Sequence, residues 1–287
     1  MLRVITSYRG APRIRGWETG SMIADGFRTL GHNVEEFGTI YQSKQSLGRS
    51  LSMDEEFDLL LYCEMNDPEP QYSQLKYLKT KKKVGWFFDN EMISDKYKQL
   101  IDYFGFDYIF LANPDTVNYF KNLGYHNIYF LPYAADEKLH YRPLGFEKKY
   151  DFILAGSDRP ERRKLISDLN SAGINAHLIV GVYREAYIDA LASAKVVIND
   201  EAGGGKNLRS MRYYESRCAG AVLFTPGLDK DNKDPGVFEY TDTNHLIRLC
   251  RAYLNNPYPY NYGQEDVLKY DTYQNRAKTI LEVCDLA

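Results

Sequence analysis

Three consecutive glycines at 203–205 stand just before Lys206, and Arg209, Arg212 and Glu215 follow on a helical pattern that ends at Ala219 and Gly220. The chain then passes directly into an apolar run at 221–225. Glycines let backbone amides approach a ligand with no Cβ in the way. The helix start behind them presents unpaired amides and the positive end of the helix dipole. With Lys206, Arg209 and Arg212 adding charge, this is an anion site fit for a diphosphate. The loop taken alone reads equally well as a turn before a capped helix. Its spacing is not that of a P-loop, because the first required glycine falls on Asp200 and the required hydroxyl on Asn207, so ATPase chemistry is disfavoured. Glu215 stands two helical turns beyond Asn207, where a carboxylate accepts two hydrogen bonds from vicinal hydroxyls such as those of a ribose. It also stands three positions after Arg212, and the residues alone favour that ion pair.

Other chemistries find less support. The histidines His32, His126, His140, His177 and His245 show no metal-ligand spacing, and a lone histidine in such a chain is read as structural. Cys63, Cys218, Cys250 and Cys284 are far apart and form no CxxC pair, so neither zinc nor redox chemistry is expected. No GxSxG elbow appears. After the first apolar run the sequence is TSYRGAPRIRG rather than GxGxxG, which argues against NAD. The 25 tyrosines are read mainly as packing and surface residues. A net charge of −3 gives no support for broad binding to nucleic acid or anionic membrane. The local basic run at 79–83 reads as a solvated turn before a strand. The amino-terminal segment lacks a signal-peptide core and no apolar run is long enough to span a bilayer, which points to a cytoplasmic protein.

The elements that position these residues alternate. Apolar runs at 3–6, 34–37, 58–62, 83–88, 108–111 and 127–131 read as strands, with helices at 17–30, 72–79, 94–104 and 114–123 between them. The second half repeats the scheme, with strands at 151–155, 177–180, 195–198 and 221–224 and helices at 160–172, 184–193, 207–219 and 244–255. Such alternation implies α/β architecture with parallel sheets covered on both faces. The polar stretch YAADEKLHYRPLGFEKKY interrupts it. We therefore expect two Rossmann-like, doubly wound domains facing a cleft. Residues 1–133 form the first, 134–150 a linker and 151–265 the second, with 266–287 a helical segment crossing back to the first domain. Ligands in such sheets bind beyond the carboxyl ends of the strands.

The segments YFLPYAADEKLHY, DFILAGSDRPERRKLI, KVVIND, RSMRYYESRCAGAVLFT, VFEYTDTNHLIRLCRAYLNN and YDTYQNRAKTIL resemble, in order, the CgeB-like glycosyltransferases, GT-B-fold enzymes of the spore maturation type that phages also encode. The resemblance covers the carboxyl-terminal half, and its most specific piece is Arg212, Glu215 and Gly220 before an apolar strand. It implies a metal-independent enzyme with no bound cofactor that moves a sugar from a nucleotide-diphosphate donor, UDP-sugars being favoured. Glu215 would hold the donor ribose. The amides near Gly204, Gly205 and Lys206 would hold the diphosphate. Gly156 and Ser157 would lie beside the phosphates, with Arg162 or Arg163 neutralising charge, since a guanidinium grips phosphate oxygens in a fork that lysine cannot reproduce. The base would stack near the turn at 180–183. Where related retaining enzymes carry a second glutamate eight positions before Glu215, this chain has Asn207, so the resemblance does not carry the stereochemical outcome.

The acceptor side falls to the first domain. Glu18, in the loop after the first strand, and Asp89, just past the fourth, are the candidates for a general base. Their bland readings are a helix cap and a helix-start carboxylate. The acceptor hydroxyl belongs to a modified DNA base if the gene is phage-borne, with the 79–83 lysines and Arg9, Arg13 and Arg15 gripping phosphates, or otherwise to a protein or glycan. A non-catalytic nucleotide-sugar binding protein and a sugar-nucleotide epimerase on the same fold are the rival readings.

Overall fold

A computed structural model of the chain describes residues 1–10, 16–40, 46–47, 51–52, 54–63, 75–88, 94–200, 209–228, 234–259 and 262–287. In chain order the elements are β1 (Arg3–Gly10), α1 (Thr19–Thr29), β2 (Asn33–Ile40), β3 (Ser46–Leu47), β4 (Glu56–Cys63), β5 (Lys79–Phe87), α2 (Ser94–Phe104), β6 (Tyr108–Leu111), α3 (Pro114–Asn122) and β7 (Ile128–Phe130). Then come α4 (Glu137–His140), β8 (Tyr150–Ala155), α5 (Pro160–Ser171), β9 (Ala176–Ile179), α6 (Glu185–Ala192), β10 (Ala194–Ile198) and α7 (Met211–Cys218). The chain finishes with β11 (Val222–Pro226), β12 (Val237–Tyr240), α8 (Thr243–Asn255), α9 (Gln264–Tyr270) and α10 (Tyr273–Val283). Two compact units result: Met1–Tyr133 with Tyr273–Ala287, and Ala134–Thr272.

The first unit holds a sheet in the order β3-β2-β1-β4-β5-β6-β7, parallel throughout except for the β2–β3 pair. Both faces of a central strand such as β4 are buried, so its sequence is a continuous apolar run rather than an alternation. Tyr62, Phe87, Tyr97 and Phe104 form an aromatic core, with ring centroids 4.7–6.2 Å apart for contacting pairs. On the other side α1 lies directly on α10: a Cβ on Gly26 would come within 2.7 Å of the Tyr273 carbonyl oxygen. Asn113 caps α3 by accepting from the Asp115 amide (2.8 Å), with Pro114 in the first turn.

Two expectations for this unit change. The helix expected at 72–79 is not formed in its described part, where residues 75–77 make one 3₁₀ turn and Lys79 already opens β5. Leu75 and Leu78 are buried as anchors of that turn. The lysine run at 79–83 is therefore strand, not a solvated turn, because its backbone pairs with β4 from Glu56–Lys79 onward. Its amines find partners there: Lys81 with Asp58 (2.7 Å), Lys82 with the Tyr108 hydroxyl (3.4 Å) and Lys83 with the Lys76 carbonyl.

The second unit holds a parallel sheet in the order β12-β11-β10-β8-β9. The order reverses between β8 and β10, the place where doubly wound sheets open beyond the strand ends. Helix α7 is anchored from behind by Arg217, a fully buried guanidinium. It lies 3.5 Å from the carboxylates of Asp266 and Asp271, 4.0 Å from Asp234, and 4.7 Å above the Tyr213 ring. Lys148 ties down two helix ends by donating to the carbonyls of Ala192, Ala194 and Gly220 at 2.7–2.9 Å. Burial pushes its ammonium down to about 8. The short β3 and the edge strand β12 have no counterpart in the sequence reading. The expected helix over 266–287 is broken at Asp271–Thr272 into α9 and α10.

Candidate functional site

β8 ends at Ala155, and Gly156 follows with φ of +154°. Its missing side chain is required: a Cβ there would stand 2.5 Å from Nη1 of Arg162 and 3.0 Å from Nη2 of Arg212. Two guanidiniums thus close over one strand end. Arg162, on the first turn of α5, is 5% exposed and donates from Nη1 to the Ser157 carbonyl (2.9 Å) and hydroxyl (3.0 Å) and from Nε to Asp200 Oδ2 (2.7 Å). Arg212 comes from the first turn of α7, donates from Nη1 to Asn199 Oδ1, and lies 3.6 Å from Asp200 Oδ1. Its Nε is buried with no hydrogen-bond partner among the described residues. Asn199 and Asp200 are the two residues that leave β10. Asn199 is fully buried, and its amide also donates to the hydroxyls of Thr225 (3.0 Å) and Ser210 (3.4 Å). Among the described residues, the two guanidiniums thus share the partly exposed carboxylate of Asp200 at the switch point.

One turn further along α7, Glu215 is 5% exposed. The Tyr187 hydroxyl, from α6, donates to its Oε2 (3.0 Å). Nε2 of His140, from α4, lies 3.8 Å from its Oε1. Burial pushes the Glu215 carboxyl up to about 7, against the opposing pull of the Tyr187 hydrogen bond and the Arg212 charge. Burial also pushes His140 down to about 3, with the Arg142 charge adding to it, so the imidazole is neutral and its contact with Glu215 is no ion pair. Glu215 thus sits at the edge of ionisation near neutral pH, beside two uncharged donors.

No protein-family model and no curated protein sequence matches this chain. Solved structures do. The Anabaena protein HepE in complex with UDP-glucose superposes with a TM-score of 0.70 over 100% of both chains, at 8% sequence identity. An alpha-glucosyltransferase in complex with UDP and a 13-mer DNA containing an HMU base gives 0.63 over 99% of both chains, at 11% identity. Sucrose-phosphate synthase from Thermosynechococcus elongatus gives 0.60 over 99% of this chain and 98% of that one, at 10% identity. The chain has the GT-B fold. At such identities the likeness lies in the two Rossmann-like, parallel-sheet units, and the residues at the strand ends are this chain's own.

Within this GT-B chain, Gly156, Ser157, Arg162 and Arg212 come together at one strand end, and Glu215 reaches them through Arg212. Arg163 turns away: its side chain is 56% exposed, pairs with Asp158 (2.5 Å), and borders a groove lined by Ile166, Ser167 and Leu178. Glu18 lies in the first unit at the N-cap of α1, where its Oε2 accepts from the Gly16 amide (2.7 Å). Asp89, Gly204, Gly205, Lys206 and Asn207 lie outside the described residues. The turn at 180–183 follows β9, with Val180 and Tyr183 each 43% exposed. Four residues of the cluster were not singled out by sequence: Asn199, Asp200, Tyr187 and His140. A signal existed for the first two, the polar pair that ends KVVIND at the carboxyl end of a buried strand. Among the described residues no three His, Cys, Asp or Glu side chains gather as a metal site, and no helix is long and apolar enough to cross a membrane.

Proposed function

We propose that this chain is a glycosyltransferase moving a sugar from a nucleotide-diphosphate donor, a UDP-sugar, to an acceptor hydroxyl. The observation that carries the reading is the convergence of two guanidiniums, the buried one of Arg162 and the half-buried one of Arg212, on Gly156 at the switch point of a parallel sheet, with a buried carboxylate one turn behind. Two forked cations at a strand end match the oxygens of a diphosphate. Glu215 then takes the ribose diol, and Ser157 and the amides around Gly204, Gly205, Lys206 and Asn207 complete the phosphate cradle. Fixed donors and cations aimed at the departing diphosphate stabilise charge as it develops in the transition state, and no metal enters this scheme. HepE in complex with UDP-glucose and the alpha-glucosyltransferase in complex with UDP support the choice of uridine donor.

The acceptor is assigned to the first unit, with Glu18 or Asp89 as general base. On the sequence resemblance we assign the chain to the CgeB-like enzymes, and we take it to act in the cytoplasm. A DNA-bound neighbour keeps a modified base among the acceptors, beside protein and glycan. A thermal-shift series with UDP-, GDP-, TDP- and ADP-sugars tests the donor. UDP or a UDP-sugar at a hundred times its Kd raises stability by about 2.7 kcal/mol. A flat response to all four overturns the reading. Release of free sugar from UDP-glucose, lost in Glu215→Ala, separates a transferase from a protein that only binds the donor.

A further inference from the structure

The further inference rests on the ribose role proposed for Glu215 and concerns what holds that carboxylate. Helix α4 is a single turn closed at both ends by its own residues. Asp136 Oδ1 accepts from the amides of Lys138 (2.9 Å) and Leu139 (3.0 Å), and the Asp136 amide donates to Nδ1 of His140 (3.0 Å). A backbone N–H aimed at Nδ1 makes that nitrogen the acceptor, which assigns the ring proton to Nε2. The short sequence DEKLH therefore fixes the tautomer, and the fold brings Nε2 to 3.8 Å from Oε1 of Glu215. That is beyond hydrogen-bond length, so the approach is a near contact rather than a bond. Oε2 meets the Tyr187 hydroxyl at 3.0 Å. Each oxygen thus faces one neutral donor from a different helix. An ionised carboxylate offers about four lone-pair sites, which leaves two for a vicinal diol.

We propose that Tyr187 and His140 are positioning residues for Glu215: two uncharged donors set the plane of its carboxylate so that the remaining lone pairs meet both hydroxyls of the nucleotide ribose. Because they are neutral, they orient the carboxylate without competing as an ion-pair partner. The charged and titratable surroundings of Glu215 are Tyr187 from α6, His140 from α4, and Arg212 and Cys218 from α7 itself. Asp200 acts through Arg212, while Asp266 of α9 is directed to Arg217.

Calorimetric titration with UDP and, separately, with inorganic pyrophosphate between pH 5.5 and 8.5 tests this. In the wild type UDP affinity falls as the pH drops through about 7, where Glu215 takes up a proton. Tyr187→Phe removes a donor to the ionised form. It weakens UDP roughly 10-fold, moves the midpoint upward, and leaves pyrophosphate, which has no ribose, unchanged. His140→Leu acts in the same direction, and His140→Gln, whose amide nitrogen stands near the Nε2 position, restores part of the loss. Folded variants that lose UDP and pyrophosphate affinity equally, or that keep the wild-type midpoint, overturn the inference alone. A wild-type protein that binds neither probe overturns the donor reading and this inference with it.

Discussion

The two units carry the same strand order around their switch points, β2-β1-β4-β5-β6 in one and β9-β8-β10-β11-β12 in the other, yet the chemistry at the two strand ends differs. Where β1 meets β4, Ser7 pairs in register with Tyr62, and the Tyr8 hydroxyl donates to the Glu36 carboxylate. Where β8 meets β10 they are Arg162, Arg212, Asn199 and Asp200, interlocked and largely buried. Topology supplies the place, and residue content decides what it can hold. Among the described residues, paired guanidiniums mark the strand end of the second unit and hydroxyls mark that of the first.

Breaking the charged end gives the largest expected effect. Arg162→Ala removes the cation that Asp200 faces at 2.7 Å. Leaving a buried carboxylate unpaired costs about 3–5 kcal/mol. Asp200 keeps some exposure and retains Arg212 at 3.6 Å, so the loss falls to about 2–3 kcal/mol. UDP affinity, measured by calorimetry, drops roughly 100-fold, because charge-assisted bonds to phosphate are the strong ones. Unchanged UDP binding in a folded Arg162→Ala protein would remove the main distinction between the two strand ends.

Glu215→Gln sharpens the same distinction through pH. Burial raises the Glu215 carboxyl from 4.5 to about 7. Between those values the folded protein holds a proton that the unfolded chain has released, so wild-type stability falls as pH rises through that window. Glutamine has no proton to lose. The variant is therefore more stable than the wild type at pH 8, by at most ~3 kcal/mol, and the gain vanishes near pH 4. UDP affinity moves the other way and weakens roughly 10-fold at pH 8. Thermal melts at the two pH values check the first sign, and calorimetry checks the second. The pair of results would show a residue kept for binding at a cost in stability.

How much of this contrast was readable in the residues depends on the range of the forces involved. Strands such as β4, β8 and β10 are apolar runs because both faces are covered, and Asn113-Pro114 announces a helix start locally, so these elements are legible. Arg212 and Glu215 stood out because charge is unusual on a helix running into a buried strand. The fate of the 79–83 lysines was not legible, because pairing with β4 and partners such as Asp58 and Tyr108 lie elsewhere in the chain. His140 looked like any structural histidine. Only its contact with a distant helix gives it a candidate role, although the cap that fixes its tautomer lies entirely within DEKLH. Tyr187 is one of 25 tyrosines and carries no local mark at all.

In the first unit the expected effect is smaller and opposite in sign. Thr6, in the middle of β1, is fully buried between Glu36 and Leu61 of its neighbours, and its hydroxyl has no partner among the described residues. Thr6→Val keeps the shape and removes a desolvated hydroxyl. It raises stability by about 1 kcal/mol, seen as a shift of roughly 2–4 °C in Tm, with UDP affinity unchanged. A fall in Tm would show that the hydroxyl is satisfied and structural.

The smallest effect belongs to the other end of the first sheet. Lys79 and Lys81 lie at the amino-terminal end of β5, level with Glu56 of β4, whereas the strand's carboxyl end is Phe87. At about 3.3 Å per residue the Lys81 backbone is roughly 20 Å from that end. Lys81 is also engaged by Asp58 at 2.7 Å, which raises its pKa further and keeps it charged. If the acceptor is DNA and binds where strands of this class bind ligands, the double variant Lys79→Ala/Lys81→Ala retards a duplex in a low-salt gel as the wild type does. UDP affinity is also unchanged. A clear loss of retardation would mean that the nucleic acid lies along the lysine end of the sheet. The functional contrast would then run between the two ends of one unit rather than between the strand ends of two.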